Sequence, residues 1–334
     1  MVVAVVVAAV VVEVAAVSAG PARAARPIVV FDSDMDFDDA AALAYLAQEH
    51  RLGRVDLRAV TVVNNGAGLP GQALRHARCL LQLLGVDGVE VAAGSDTAPN
   101  AFPTELRLSI DRVLSSVLSG CTTTGGPTPL TAPQLIRRVL AAEPRAQVIV
   151  TGPLSNVAAA LPAAAGRVTS MGGAVRVPGN LCCGTPPEFD GTQEFNYWID
   201  PPASRAVLTA SGAPLRLVPL DATNEVPITG AFVDRLRADH RTPAADIVLG
   251  ILSHPELAPL VAAGALFWWD PLAAMTVIRP DVVDVEVGRL DVITAGPSAG
   301  RTLLSRTGRP TSFATAADPA AFESQFLATL NGRR

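Results

Sequence analysis

The sequence predicts an α/β fold, a doubly wound and mostly parallel open sheet of Rossmann-like type, with its active site at the carboxyl ends of the strands. Three observations carry that expectation. Short apolar runs alternate with segments of helical periodicity, a pattern that implies crossover connections and parallel pairing. Polar clusters directly follow three of those runs, at Asp32 and Asp34, at Asn64 and Asn65, and at Thr151-Gly152. Open α/β sheets bind their ligands along this edge. The chain of 334 residues is 49% hydrophobic and 17% charged, which supplies material for a large core.

Taken in order, Pro27 to Phe31 (PIVVF) reads as a buried strand and Asp39 to Glu49 as a helix. Leu57 to Val63 is a second strand, followed by a helix from Gly71 to Leu84. Val89 to Ala92 is a third strand. Helical stretches at Glu105 to Leu118 and Ala132 to Ala142 lead to a strand at Gln147 to Val150. Cys121 to Pro129, rich in Thr, Gly and Pro, reads as a loop, and Val177 to Gln193 as a second long one. Long loops inside a compact domain usually carry function. No repeat or linker interrupts residues 27–334, so a single domain is expected there.

Residues 1–26 stand apart. Val2 to Val17 is almost wholly apolar, broken by Glu13, and leads into Ser18-Ala19-Gly20. This predicts a secretory signal peptide, although the usual basic start is missing. A membrane span needs about 20 uninterrupted apolar residues, so none is expected. The protein is therefore expected to be secreted or within the secretory pathway, and cytoplasmic if this leader is not a signal. The cysteines Cys79, Cys121, Cys182 and Cys183 lack the C-x-x-C spacing of zinc sites. In a secreted chain a disulfide from Cys121 to Cys182 or Cys183 is open, while Cys79 reads as a small buried hydrophobe on a helix. A net charge of -5 with no lysine argues against a nucleic-acid partner and for a small molecule.

The chemistry concentrates after the first strand. Asp32, Asp34, Asp36, Asp38 and Asp39 place five carboxylates within eight residues. Such crowding is costly unless a cation or protons offset the repulsion. A solvated acidic loop with Asp38 or Asp39 capping the next helix is the plain alternative. The apolar segments on both sides put the cluster at the edge of the core, where a hard ion such as Ca²⁺ or Mg²⁺ suits the oxygen ligands. An EF-hand loop from Asp32 fails, because its sixth and twelfth positions hold Phe37 and Leu43 in place of Gly and Glu. A haloacid-dehalogenase-type phosphatase, with Asp32 as nucleophile and Asp34 as acid, survives locally but leaves Asp38 and Asp39 unexplained.

Asp32-x-Asp34-x-x-x-Asp38-Asp39-Ala40 resembles the opening signature of the inosine-uridine nucleoside hydrolase family. Val62-Val63-Asn64-Asn65, Thr151-Gly152-Pro153-Leu154-Ser155-Asn156, Met171-Gly172-Gly173 with Gly179-Asn180, Glu194-Phe195-Asn196 with Asp200-Pro201, and Asp270-Pro271-Leu272-Ala273 resemble its later motifs in order. The resemblance implies calcium-dependent hydrolysis of the N-glycosidic bond of ribonucleosides. It implies one Ca²⁺ held by Asp34, Asp39, the Thr151 carbonyl and Asp270, with Asp34 as general base toward water acidified by the ion. Asn65 would orient that water, and Asp38, Asn180, Glu194, Asn196 and Asp270 would grip the ribose. Family habit implies a homo-oligomer.

Two departures bear on the leaving group. The family's Pro-Gly between the second and third aspartates is Met35-Asp36 here, and Asp36 has no assigned role. Where many members carry His before the late Asp, this chain has Trp269. That resembles the purine-preferring branch, in which stacking on the base replaces a proton-donating side chain. A core role for the run Phe267-Trp268-Trp269 is the other reading. His254 is either a surface residue or a group carried by a lid. Asn156 is either a helix cap or a ligand contact. Cys182 and Cys183 either bridge or pack. A calcium-dependent nucleoside-binding protein without turnover is the remaining alternative.

Overall fold

The computed structural model describes residues 26–86, 88–122, 128–160, 166–181, 189–210, 212 and 214–333. The leader up to residue 25, and Cys182 and Cys183, lie outside them. Among the described residues nine strands form one sheet: β1 (Ile28–Ser33), β2 (Asp56–Val62), β3 (Glu90–Ala93), β4 (Gln147–Val150), β5 (Arg167–Met171), β6 (Leu215–Val218), β7 (Val283–Val292), β8 (Thr302–Leu304) and β9 (Arg309–Ala317). Their order is β3-β2-β1-β4-β5-β6-β9-β7-β8. The first seven in that order pair in parallel, and β7 runs antiparallel to both β9 and β8.

β1 is a continuous apolar run because both of its faces are covered. Val29, Val30 and Phe31 are fully buried, as expected for a central parallel strand. Two apolar clusters sandwich the sheet. One contains Val29 and Phe31 with the helices Phe37–Arg51, Gln72–Leu83 and Pro319–Leu330. The other contains Val30 with the helices Ala132–Ala142, Ser155–Ala160 and Pro201–Ala210. The chain order reverses between β1 and β4, on opposite sides of which the sheet is wound in opposite directions. A crevice at their carboxyl ends follows from that topology.

The expected elements up to Val150 all appear, with ends moved by no more than two residues. Beyond Val150 the sequence pattern resolves no strand, and the structure adds β5 to β9. β5 and β6 are only five and four residues long, and β7 exposes its middle residues on a sheet extension. Short or solvent-facing strands carry little periodic signal. Among the described residues no helix is long and apolar enough to cross a membrane.

The cysteine expectation needs correction. Cys79 pairs with Cys121, their Cα atoms 5.3 Å apart. Cys79 is fully buried on the inner face of helix Gln72–Leu83, and Cys121 follows the neighbouring helix Thr104–Val117. Gln82 reinforces the junction by accepting from the Thr122 N–H at 3.1 Å. The link closes a loop of 42 residues. Replacing both cysteines by serine should therefore cost about 4 kcal/mol of folding stability. The urea midpoint under non-reducing conditions checks this, and an unchanged midpoint would refute it.

Candidate active site

The site is built where β1 and β4 end. After Ser33 the chain turns through Met35, whose φ of 60° is left-handed, and enters helix Phe37–Arg51. Asp36 caps that helix, its Oδ1 accepting from the Phe37 N–H at 2.5 Å. Asp39 completes a reciprocal capping box by accepting from the Asp36 N–H at 2.8 Å. The unassigned Asp36 thus has a structural role, while its side chain also lines the cavity.

Asp34 is held from two sides. Its Oδ2 accepts from Ala67 N–H and its carbonyl from Gly68 N–H, both at 2.8 Å. The loop after β2 approaches so closely that a Cβ on Gly66 would fall 1.9 Å from Asp34 Oδ2. Only glycine fits there. Arg107, which the sequence reading missed, donates from Nη2 to the carbonyls of Asn64 and Gly68, both at 2.5 Å, and clamps this loop. A lone arginine on an amphipathic helix carries no sequence signal for that task.

Asp39 accepts from the Thr151 hydroxyl at 2.5 Å, which ties the end of β4 to the acidic helix start. Asp38 accepts from the Asp270 N–H at 3.2 Å and so joins the beginning of the chain to helix Trp269–Met275. Glu194 caps helix Phe195–Ile199, accepting from Asn196 and Tyr197 N–H groups and from Gly173 N–H at 2.9 Å. Asn196 then donates to the Thr151 carbonyl at 2.9 Å. Asn180 accepts from Phe195 N–H at 3.1 Å. Motifs far apart in sequence thus meet through specific bonds.

A cavity of about 450 Å³ opens over this floor. Asp34, Asp36, Asp38, Thr151, Asn180, Glu194, Asn196 and Asp270 supply polar groups to its lining. Phe102, Phe195, Leu257, Leu266, Phe267 and Trp269 line an apolar part. Trp269 packs edge-on against Phe37, centroids 6.3 Å apart, whereas Trp268 is fully buried among Phe232, Phe322 and Phe326. Among the described lining residues there is no His, Lys, Arg, Cys or Tyr.

Asp39 and Asn65 are buried but do not line the cavity. Asp32 is fully buried below it, accepting from Thr61 Oγ1 at 2.6 Å and Asn156 Nδ2 at 2.9 Å. A phosphatase nucleophile needs an open approach, so that reading of Asp32 is overturned. Asn156 is neither helix cap nor cavity residue; it spans Asp32 and the Ser95 N–H. His254 ends helix Pro243–Ser253, its Nδ1 accepting from Glu256 N–H at 3.3 Å, and does not line the cavity.

The electrostatics are dominated by burial. It raises Asp34 and pushes Asp38 to about 7. Asp39 and Asp270 lie well above the carboxylate range, through burial and then repulsion from their neighbours. Glu194 is pushed to about 7 by burial, against three N–H donors. Arg107 pulls Asp34 down, but less than burial raises it. Among the described residues no three His, Cys, Asp or Glu side chains form a preassembled metal cage. The carboxylates converge on one floor and retain a strong demand for positive charge.

A family model for inosine-uridine preferring nucleoside hydrolases matches residues 29–324. The chain belongs to this family. Members of this nucleoside hydrolase family cleave N-glycosyl bonds and are metal-dependent. A pyrimidine-specific ribonucleoside hydrolase of Shewanella sp. (strain MR-7) is 30% identical over 310 residues, covering 86% of this chain and 89% of that relative. The crystal structure of an inosine-uridine preferring nucleoside hydrolase from Bacillus anthracis has 27% identity and a TM-score of 0.80, covering 92% of this chain and 99% of the other. A purine-preferring ribonucleoside hydrolase from Gardnerella vaginalis shares the fold, with 22% identity and a TM-score of 0.71, over 91% of this chain and 98% of the other.

Proposed function

We propose that this nucleoside hydrolase cleaves the N-glycosidic bond of ribonucleosides with calcium as its ion, and that it prefers purine nucleosides such as inosine, adenosine and guanosine. One observation carries the reading: a floor of buried carboxylates from both ends of the chain lies under an apolar, aromatic-lined cavity. The fit to an ion rests on the donor set. Asp34, Asp39, Asp270 and the Thr151 carbonyl offer only hard oxygens, and burial leaves their charge largely uncompensated. Such an ion, when bound, supplies a positive field that acidifies water.

The residues then divide the work. Asp34 accepts the proton of the attacking water, and Asn65 orients that water. Asp38, Asn180, Glu194, Asn196 and Asp270 hold the ribose hydroxyls, with contacts that tighten as positive charge develops on the sugar. Trp269 stacks on the base. The stacking surface of Trp269, with no His, Lys, Arg, Cys or Tyr among the described lining residues to protonate the base, favours purines. A purine can take its proton from water at a ring nitrogen as the bond breaks.

Steady-state release of reducing sugar from inosine and from uridine tests this. Inosine should be the better substrate by kcat/KM. Trp269→Ala should lower kcat/KM for inosine by about tenfold or more, from lost stacking and apolar burial. Uridine hydrolysed as efficiently as inosine would overturn the purine preference, which the pyrimidine-specific name of the Shewanella relative makes a sharp test.

A further inference from the structure

Ser155 and Asp200 both lie in motifs singled out from the sequence, and the proposed reaction assigns neither residue a task. They form the far end of a directed hydrogen-bond chain. Asn65 Nδ2 donates to the Thr97 carbonyl at 2.8 Å and to Ser155 Oγ at 2.9 Å. Ser155 Oγ donates to Asp200 Oδ2 at 2.5 Å. A hydroxyl has one proton, and a carboxylate accepts without donating. The Ser155 proton is therefore committed to Asp200, and its lone pairs face Asn65. Both protons of the Asn65 amide are spent, on Thr97 and Ser155. The atom left over is Oδ1, which is buried and without a hydrogen-bond partner. It belongs to the residue preceding Gly66, where a Cβ would fall 1.9 Å from Asp34 Oδ2.

We infer that Ser155 and Asp200 are positioning residues that fix the Asn65 carboxamide so that Oδ1, and not Nδ2, is offered to the water beside Asp34. The inference rests on the proposed role of Asn65 in orienting that water. The direction matters chemically. An acceptor holds one water O–H in a hydrogen bond, leaves the other proton for Asp34 to remove, and frees a lone pair to attack the sugar. An N–H in its place would occupy that lone pair.

Asp200→Asn is the informative variant. Asp200 Oδ1 also accepts from the Ala203 N–H at 3.1 Å, at the start of helix Pro201–Ala210. An asparagine can keep that bond with its oxygen and turn Nδ2 toward Ser155. The chain then runs backwards, with the serine proton directed at Asn65. With inosine, Asp200→Asn should lower kcat about 30-fold while KM stays within about twofold. Ser155→Ala leaves the Thr97 contact in place and should cost about fivefold in kcat. Ser155→Thr keeps the hydroxyl and should recover most of that loss.

Asp200→Asn and Ser155→Ala are then measured in an Asn65→Ala background. If they act through Asn65, each should cost less than about twofold in kcat there. An equal cost in both backgrounds would overturn the relay while leaving the role of Asn65 intact. An Asn65→Ala enzyme with undiminished kcat would overturn the role of Asn65, and the relay with it.

Discussion

Replacing Asp34 by alanine should lower kcat for inosine by at least about 10⁴-fold, or about 5 kcal/mol of barrier. The expectation follows from its position. Asp34 lines the cavity just after β1, with one carboxylate oxygen fixed by Ala67 N–H and its backbone carbonyl by Gly68 N–H. A rigid, buried carboxylate is poised to take a proton, and the residue that replaces it offers nothing in its place. Loss of activity through unfolding has a different signature. Asp34 sits among like charges, and burial raises the cost of its ionised form. Neutralising it should relieve repulsion, so Asp34→Asn should also abolish turnover while leaving the thermal midpoint of the metal-free protein unchanged or higher. Near-normal rates in either variant would remove Asp34 from its assigned role.

Stripping the protein with a chelator should reduce turnover to background, and added Ca²⁺ should restore it. The same floor explains why. Asp38, Asp39 and Asp270 are buried beside Asp34, and their charges repel without a cation. Ca²⁺ accepts irregular sets of carboxylate, carbonyl and hydroxyl oxygens, whereas Mg²⁺ holds its waters and demands octahedral geometry. Equal concentrations of Mg²⁺ should therefore restore less activity than Ca²⁺. Turnover that survives exhaustive chelation would separate the chemistry from the ion. Thermal melts provide a second reading, since an ion that binds the folded state raises the midpoint by mass action.

The first four strands were legible in the sequence as short apolar runs, followed at β1, β2 and β4 by polar clusters, whereas the parallel strands β5, β6 and β9 were not. Pro27 to Phe31, Leu57 to Val63 and Gln147 to Val150 all read as apolar runs ending at the crevice. The antiparallel edge was not legible. Val283–Val292 alternates exposed acidic residues with apolar ones, and its partner Thr302–Leu304 has only three residues. The aspartates of the first turn announced themselves by crowding. Which carbonyl, amide or hydroxyl each one meets is set by distant chain segments. Arg107 lies 73 positions from Asp34 in sequence but next to the loop that holds it. Asp36 had no role that the sequence could assign, and its helix-capping bonds appear only in three dimensions. The disulfide depended on how two neighbouring helices pack, which cysteine spacing does not encode.

Calorimetric titration of Ca²⁺ into the metal-stripped full-length protein is the most direct test of these carboxylates sharing one ion. One binding site per chain is expected, lost in both Asp34→Ala and Asp270→Ala even though these residues stand at opposite ends of the sequence. Failure of the unaltered protein to bind, or a site that persists unweakened in either variant, would contradict it.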